Sequence, residues 1–271
     1  MIEAFVKAAL AEDVGRGDLF ALVEPQKDSS AKIVAKSDGV VAGVKYVDVL
    51  AKLEGLHIEW FKGDSQEFAK GEIIAKISGS SHTLLACERT ILNMLLHASS
   101  IATLTRKYVK LIAPYGVKLL DTRKTRPLLR NFEKYATRTG GAINHRMGLD
   151  DCLMLKDTHL KTIENLSEYI KIARTKIPFT CKIEVEAESL EMAMSAMSAG
   201  ADIVMCDNMT PAHMMEVVAY KNTNYPHILL EASGNISLKT IESYAKTGID
   251  AISSGSLIHQ ANWIDLSMKV E

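Results

Sequence analysis

Arginine is scarce in this chain of 271 residues, 9 against 23 lysines, yet five of the nine fall between residues 123 and 146. They are Arg123, Arg126, Arg130, Arg138 and Arg146, joined only by Lys124 and Lys134, with Glu133 the one acid among them. A guanidinium is a rigid planar fork that grips carboxylates and phosphates at two points, where an ammonium is a point charge. A local switch from Lys to Arg therefore points to anionic ligands of defined geometry. The competing reading is a solvated basic face, which would more naturally use Lys. It would also not need Gly140-Gly141 and Asn144-His145 in the same segment.

Two acids, Glu186 and Asp207, close two successive strand-like runs. Neighbouring strand ends can bring two carboxylates to one site. There they could hold ribose hydroxyls, bind Mg²⁺ directly or through water, or stabilise positive charge developing on a sugar ring. Two unrelated strand-end acids are the plainer alternative. Two small-residue loops, Ala232-Ser233-Gly234-Asn235 and Ser253-Ser254-Gly255-Ser256, offer backbone N–H groups and hydroxyls suited to phosphate. His145 and His159 flank the basic segment's strand, and the other histidines are scattered without metal-like spacing.

The elements that must position these groups can be read from periodicity. Residues 1–80 read as a small mixed domain: a helix over about 2–12, strands at 31–36, 40–44, 57–61 and 71–77, and a helix at 45–53. Residues 84–113 turn helical, with Ser99-Ser100 marking a bend or break. Strand-like runs then alternate with helices: strands at 117–121, 153–156, 182–186, 203–207, 228–231 and 251–253, helices near 162–175, 189–199, 210–221 and 238–247. Repeated βα units imply buried parallel strands covered by helices, and both a barrel and an open doubly wound sheet fit. The strand ends favour the barrel: Asp121, Lys156, Glu186, Asp207, Glu231 and Ser253 would converge on one mouth.

Composition bounds the partners. The net charge of -1 shows no excess of the kind a nucleic-acid binder or polybasic membrane protein carries. No run approaches the ~20 apolar residues of a membrane helix, and the N-terminus does not read as a signal peptide. Cys87, Cys152, Cys181 and Cys206 lie in apolar runs without C-x-x-C spacing, and read as reduced core residues of a cytoplasmic protein.

In order, Glu12–Asp18, Glu88–Asn93, Asp121–Thr125, Glu133–Tyr135, Asn144–Leu149, Leu155–Asp157, Glu184–Glu186, Asp207-Asn208, Leu230–Gly234 and Ser254-Gly255 resemble the motifs of quinolinate phosphoribosyltransferases, nearly end to end. The resemblance implies an N-terminal α/β sandwich domain (1–100, with the tail 258–271 packing back on it) and an incomplete, roughly seven-stranded α/β barrel (101–257). It implies transfer of the phosphoribosyl group of phosphoribosyl pyrophosphate to quinolinate with decarboxylation, giving nicotinate mononucleotide, pyrophosphate and CO₂ in NAD synthesis. Arg89, Thr122, Arg123, Lys124, His145, Arg146 and Lys156 would bind quinolinate. Glu186, Asp207, Ser233, Gly234, Asn235, Ser254, Gly255 and Ser256 would bind phosphoribosyl pyrophosphate. Lys124, Glu186 and Asp207 would be catalytic, with Mg²⁺ at the two acids. A homodimer with shared sites is implied, Arg89 arriving from a neighbouring subunit, and a hexamer of three dimers stays open. Thr158, Ala232 and Asn235 depart from the family's usual Asn, Ser and Gly, which bears on loop geometry. A transferase of the same fold acting on another acid, and a non-catalytic phosphate-binding barrel, are the competing functions.

Overall fold

The computed structural model describes all 271 residues, which divide into two compact units. The first comprises Met1–Arg106, Tyr135–Gly141 and Ala261–Glu271, and the second Lys107–Lys134 and Ala142–Gln260.

The first unit opens with α1 (Ile2–Val14), β1 (Asp28–Ala35), β2 (Gly39–Val40), α2 (Val44–Glu54), β3 (His57–Trp60), β4 (Glu67–Phe68), β5 (Ile73–Ser80) and α3 (Ser81–Ile112). In β1 the buried residues alternate (Ala31, Ile33 and Ala35), as a sheet with one covered face requires. The strand expected over 40–44 shrinks to the two residues of β2, because Gly43 turns the chain and Val44 already begins α2. The expected break at Ser99-Ser100 is also absent, and α3 runs unbroken for 32 residues. Both hydroxyls are used without interrupting it. Ser99 Oγ bonds both the N–H and the C=O of Ala42, while Ser100 Oγ donates to Leu96 O at 2.6 Å and accepts from Ile264 N–H.

The chain continues with β6 (Lys118–Leu120), α4 (Arg130–Gly140, whose part from Tyr135 on belongs to the first unit), β7 (Leu153–Leu155), α5 (Asp157–Leu160), α6 (Leu166–Lys176), β8 (Ile183–Ala187), α7 (Leu190–Ser198), β9 (Ile203–Asp207), α8 (Pro211–Asn224), β10 (Leu229–Ser233), α9 (Ile241–Ala245), β11 (Ala251–Ser253) and α10 (Ser256–His259). Helix starts follow side-chain caps: Asn165 accepts from Glu168 N–H, Ser189 from Met192 N–H and Thr210 from His213 N–H. The last strand, β12 (Leu266–Val270), returns to the first unit and pairs antiparallel with β1, giving the order β12-β1-β5-β3.

Strands of the second unit form one parallel sheet in the order β6-β11-β10-β9-β8-β7. A single parallel bridge, Leu120 to Ile143, adds a one-residue seventh position beside β6. The expected count of about seven is thus six strands and a remnant. The sheet is curled. Six flat strands would separate β6 from β7 by roughly 24 Å, yet side chains from both edges and the middle line one cavity. In β8 Ile183, Val185 and Ala187 alternate with Glu184 and Glu186, so one face is apolar and the other carries carboxylates.

Leu128, in the loop before α4, has φ 64° and a side chain 99% exposed. A left-handed backbone at an L residue costs about 1–2 kcal/mol, part of which Gly would lose again in unfolded-chain entropy. Leu128→Gly is therefore expected to stabilise the fold by about 0.5–1 kcal/mol, read as a higher urea midpoint at unchanged slope.

Candidate active site

At the C-terminal ends of the parallel strands lies a cavity of about 560 Å³, lined wholly by residues of the second unit. Ten of the residues singled out from sequence line it: Thr122, Arg123, Lys124, His145, Arg146, Lys156, Asp207, Ser233, Gly234 and Asn235. Their neighbours on the wall include Asp121, Met205, Asn208 and Glu231. Glu186 joins from beneath, its Oε2 2.6 Å from Lys156 Nζ. Of the second small loop, Ser253 lines the cavity, whereas the Ser254 hydroxyl turns inward to Ile236 O and Ser256 N–H, and Ser256 bonds Tyr108. Gly255 lies under the Lys124 stem, where an added methyl would come 2.9 Å from Cδ. Arg89 belongs to the first unit and is exposed on α3.

The basic segment separates into distinct uses. Arg126 pairs with buried Glu133 at 2.6 Å, and Arg138 is exposed on α4. Arg130 reaches Met147 O at 3.0 Å. Arg123 and Arg146 face the cavity. Burial, then the charges of Arg146 and Arg130, hold the Arg123 guanidinium below its ordinary pKa. Its Nε is buried with no hydrogen-bond acceptor. A desolvated cation among cations is unfavourable in the free protein and becomes favourable when an anion arrives.

Opposite stand the acids. Ligand oxygens of Glu186, Glu188 and Asp207 lie within 4.8 Å of one another, an all-oxygen set of the kind hard divalent cations take. Asn208 donates to Asp207 Oδ2 at 2.6 Å and accepts from the Asn235 amide at 3.1 Å, tying this corner to the first small-residue loop. Asn208 and Asn235 both have positive φ, 55° and 50°, a conformation Asn tolerates better than other side chains. Gly234, at φ 93°, packs so closely that a Cβ would sit 2.7 Å from the Asn208 backbone nitrogen. Gly234→Ala is therefore expected to distort both corners. Steady-state kinetics should show a KM for the phosphorylated substrate raised at least ~10-fold, the scale of about 1–3 kcal/mol of backbone strain.

Below the mouth lies a buried cluster. His145 Nε2 donates to Glu231 Oε2 at 3.0 Å and lies 3.3 Å from Glu184 Oε2. Burial alone would lower the imidazole's pKa, but hydrogen bonds and charges from Glu184 and Glu231 outweigh it and push it up to about 10. Arg146 N–H meets Nδ1 at 2.7 Å, so protonating Nδ1 would break that local bond. Two buried carboxylates against one backbone N–H leave the direction upward. Glu184 is pushed up too, chiefly by burial and then by Glu231, with His145 opposing.

Glu184, Glu188, Glu231, Asn208 and His159 were given no site role from sequence. The signal for Glu184 was its i, i+2 spacing from Glu186 in a strand, which places both on one face. Glu231 was read only as a strand end. Cys152 and Cys206 are buried core residues like Cys87, whereas Cys181 is half-buried.

A curled parallel sheet whose strand ends hold cations against carboxylates and small-residue loops defines an α/β-barrel enzyme built to gather polyanions. Models of the quinolinate phosphoribosyl transferase N-terminal and C-terminal domains match residues 18–99 and 101–269. The chain is 38% identical to the "Probable nicotinate-nucleotide pyrophosphorylase (carboxylating)" of Synechocystis, covering 100% of this chain and 92% of that one. It is 34% identical to the nicotinate-nucleotide pyrophosphorylase (carboxylating) of Homo sapiens, over 99% of this chain and 91% of the other. The solved nicotinate-nucleotide pyrophosphorylase of Francisella tularensis superposes with a TM-score of 0.94 at 34% identity, covering 100% and 96% of the two chains. At 12% identity and a TM-score of 0.61, human nicotinic acid phosphoribosyltransferase shares the fold alone. The chain belongs to the quinolinate phosphoribosyl transferase family.

Proposed function

We propose that this enzyme transfers the phosphoribosyl group of phosphoribosyl pyrophosphate to quinolinate with loss of CO₂, forming nicotinate mononucleotide and pyrophosphate for NAD synthesis. The observation that carries this reading is Arg123. A guanidinium with a buried, acceptor-less Nε, beside Arg146 and across from Lys156, suits a ligand with two carboxylates better than one with a single carboxylate. Thr122, Lys124 and His145 complete that wall.

The chemistry follows from the two halves of the cavity. The pyridine nitrogen carries no proton, so no base is needed for its attack on ribose C1. The C1–N bond forms as the C1–O bond to pyrophosphate breaks, through a transition state with oxocarbenium character. Glu186 and Asp207 lie where they can bind the ribose hydroxyls and stabilise that positive charge. Lys124, on the cavity wall, would neutralise the leaving pyrophosphate, and the Ser233–Asn235 loop, which also lines the cavity, would hold the 5′-phosphate. The 2-carboxylate then leaves as CO₂, the electron pair left on C2 is stabilised by the adjacent pyridinium nitrogen, and C2 takes up a proton. Glu186, Asp207 and Glu188 offer a donor set that fits Mg²⁺, which when bound would shield the pyrophosphate charge. Lys156, bonded to Glu186, would offset part of the mutual repulsion of the two substrates, which the site must overcome.

The decisive assay offers quinolinate and nicotinate separately with phosphoribosyl pyrophosphate and Mg²⁺. Turnover of quinolinate with release of CO₂ is expected, and turnover of nicotinate alone would remove the assignment. We further propose a cytoplasmic homodimer in which a neighbouring subunit's Arg89 completes each site. An exposed apolar run, with Leu22 80% and Val23 86% exposed, is suited to a subunit contact. Mixing Arg89→Ala with Lys156→Ala protein in equal amounts should restore one of the two sites in each heterodimer, or roughly a quarter of all sites at most. No restoration in verified heterodimers would place Arg89 in its own chain's site. No helix is long and apolar enough to cross a membrane.

A further inference from the structure

Where Asp121 joins the cavity wall lies a buried ion pair that the proposed reaction does not use. Lys134 and Asp121 are both fully buried, with Lys134 Nζ 2.6 Å from Asp121 Oδ1. The same ammonium donates to the carbonyls of His145 at 2.9 Å and Arg146 at 3.1 Å. Its three protons thus have three acceptors. Asp121 Oδ1 also accepts from His145 N–H at 2.8 Å, and Oδ2 from the Asn144 amide at 2.6 Å. That amide in turn donates to the Lys134 carbonyl at 2.7 Å. Residues from the end of β6, from α4 and from the 142–152 loop therefore close a ring around one short peptide stretch, Asn144–Arg146.

A buried ion pair is a poor way to gain stability, because desolvation offsets most of its attraction and an apolar pair of similar size often does as well. What it provides here is geometry. Beyond the single bridge at Ile143, the 142–152 loop has no regular secondary structure to hold it. Every backbone polar group of the His145–Arg146 segment that meets the ring is fixed by a charged partner rather than by a ladder. The Arg146 side chain itself has one anchor, Nη1 to Cys152 O at 3.1 Å, so its direction into the cavity depends on where the backbone is held.

We propose that Lys134 is a positioning residue for dicarboxylate binding: its buried ammonium fixes the His145–Arg146 peptide and so presents Arg146 to the acid in one geometry. This rests on the dicarboxylate reading of the cavity. Lys134 touches no ligand and acts through Arg146.

A double-mutant cycle between Lys134→Met and Arg146→Ala tests it, with binding of quinolinate measured by calorimetry and KM measured for each substrate. Lys134→Met leaves Asp121 as a lone buried charge, so the cycle is run in parallel with Lys134→Met/Asp121→Asn, which removes both charges, and circular dichroism checks that each variant is folded. In both backgrounds quinolinate binding should weaken about 10–100-fold, while the KM for phosphoribosyl pyrophosphate stays within about twofold. Arg146→Ala should then cost only a few-fold more, because a displaced guanidinium has little left to lose. Penalties that multiply, or a KM for both substrates that rises alike, would overturn the positioning role against intact wild-type binding. A wild type that binds no dicarboxylate at all would instead overturn the reading of the cavity, and this inference with it.

Discussion

Arg123→Met is expected to melt higher than the wild type and to bind quinolinate far more weakly. The two effects share one cause. In the free protein Arg123 is partly desolvated, repelled by Arg146 and Arg130, and left with a buried Nε that makes no hydrogen bond. Replacing the guanidinium with an apolar chain of similar length removes that unfavourable charge. The gain should be small, under about 1 kcal/mol, because solvent screens most of the guanidinium charge, or roughly 1–3 °C for a chain of this size. The same substitution removes a charged hydrogen-bonding partner from the acid. Losing one such interaction costs about 1.5–3 kcal/mol, which is on the order of a 10- to 150-fold rise in Kd. Differential scanning calorimetry with and without quinolinate reads both numbers in one experiment. The wild type should gain stability on adding the acid and the variant should not. A variant that melts lower and still responds to the acid would mean that Arg123 is a structural cation whose partner lies within the protein.

The second large effect is on pH. The His145 pKa is pushed up to about 10 in the folded chain, against an ordinary value of 6.5. A raised cationic group contributes stability that is fully present below 6.5 and is lost as pH rises through 10. Glu184 acts in the same direction, since its folded pKa is raised and ionising it above that value is unfavourable in the buried site. Stability should therefore fall steadily from pH 6.5 to 10. The loss should be on the order of 3 kcal/mol, given about 1.4 kcal/mol per pH unit for one proton less the local Nδ1 bond. Melting temperature measured across that range should drop by roughly 5–10 °C. His145→Gln should start lower, because two buried carboxylates then face each other without a cation, and should flatten above pH 7. A wild-type profile that is level from pH 7 to 10 would show that the imidazole stays neutral on its Nε2–H tautomer.

Much of this site could be read from residues alone, for reasons specific to each part. The polar strand ends were visible because a βα repeat puts every strand's exit on one side of the sheet. Five of the six named from sequence line the cavity and the sixth, Glu186, bonds Lys156. The Arg-rich segment was visible as composition, but its division of labour was not. Nothing in the sequence distinguishes Arg126, held by Glu133, from Arg123, which has no such partner. Lys134 was counted as one more cation, although a lysine with no exposed surface is the opposite of a solvated one. Burial depends on what packs against α4, and no local pattern encodes that. The helix break expected at Ser99-Ser100 failed for a related reason. Serine disfavours helix interiors by competing for backbone groups, and here that competition is satisfied by Ala42, Leu96 and Ile264.

The pairing of β12 with β1 has a consequence for how the protein comes into being. Residues 266–270 supply a whole strand beside the one spanning residues 28–35, and Glu271 bridges to Lys32 and Lys76. The first unit is therefore interrupted by the entire second unit in the order of synthesis. A nascent chain that has emerged only to residue 260 still carries β1 as an open sheet edge, the kind of surface that recruits other strands. Folding one domain at a time from the N-terminus, the common safeguard of larger chains, is closed to it. The first unit can finish only after residues 266–270 leave the ribosome, so the edge must wait, exposed, while the second unit is made.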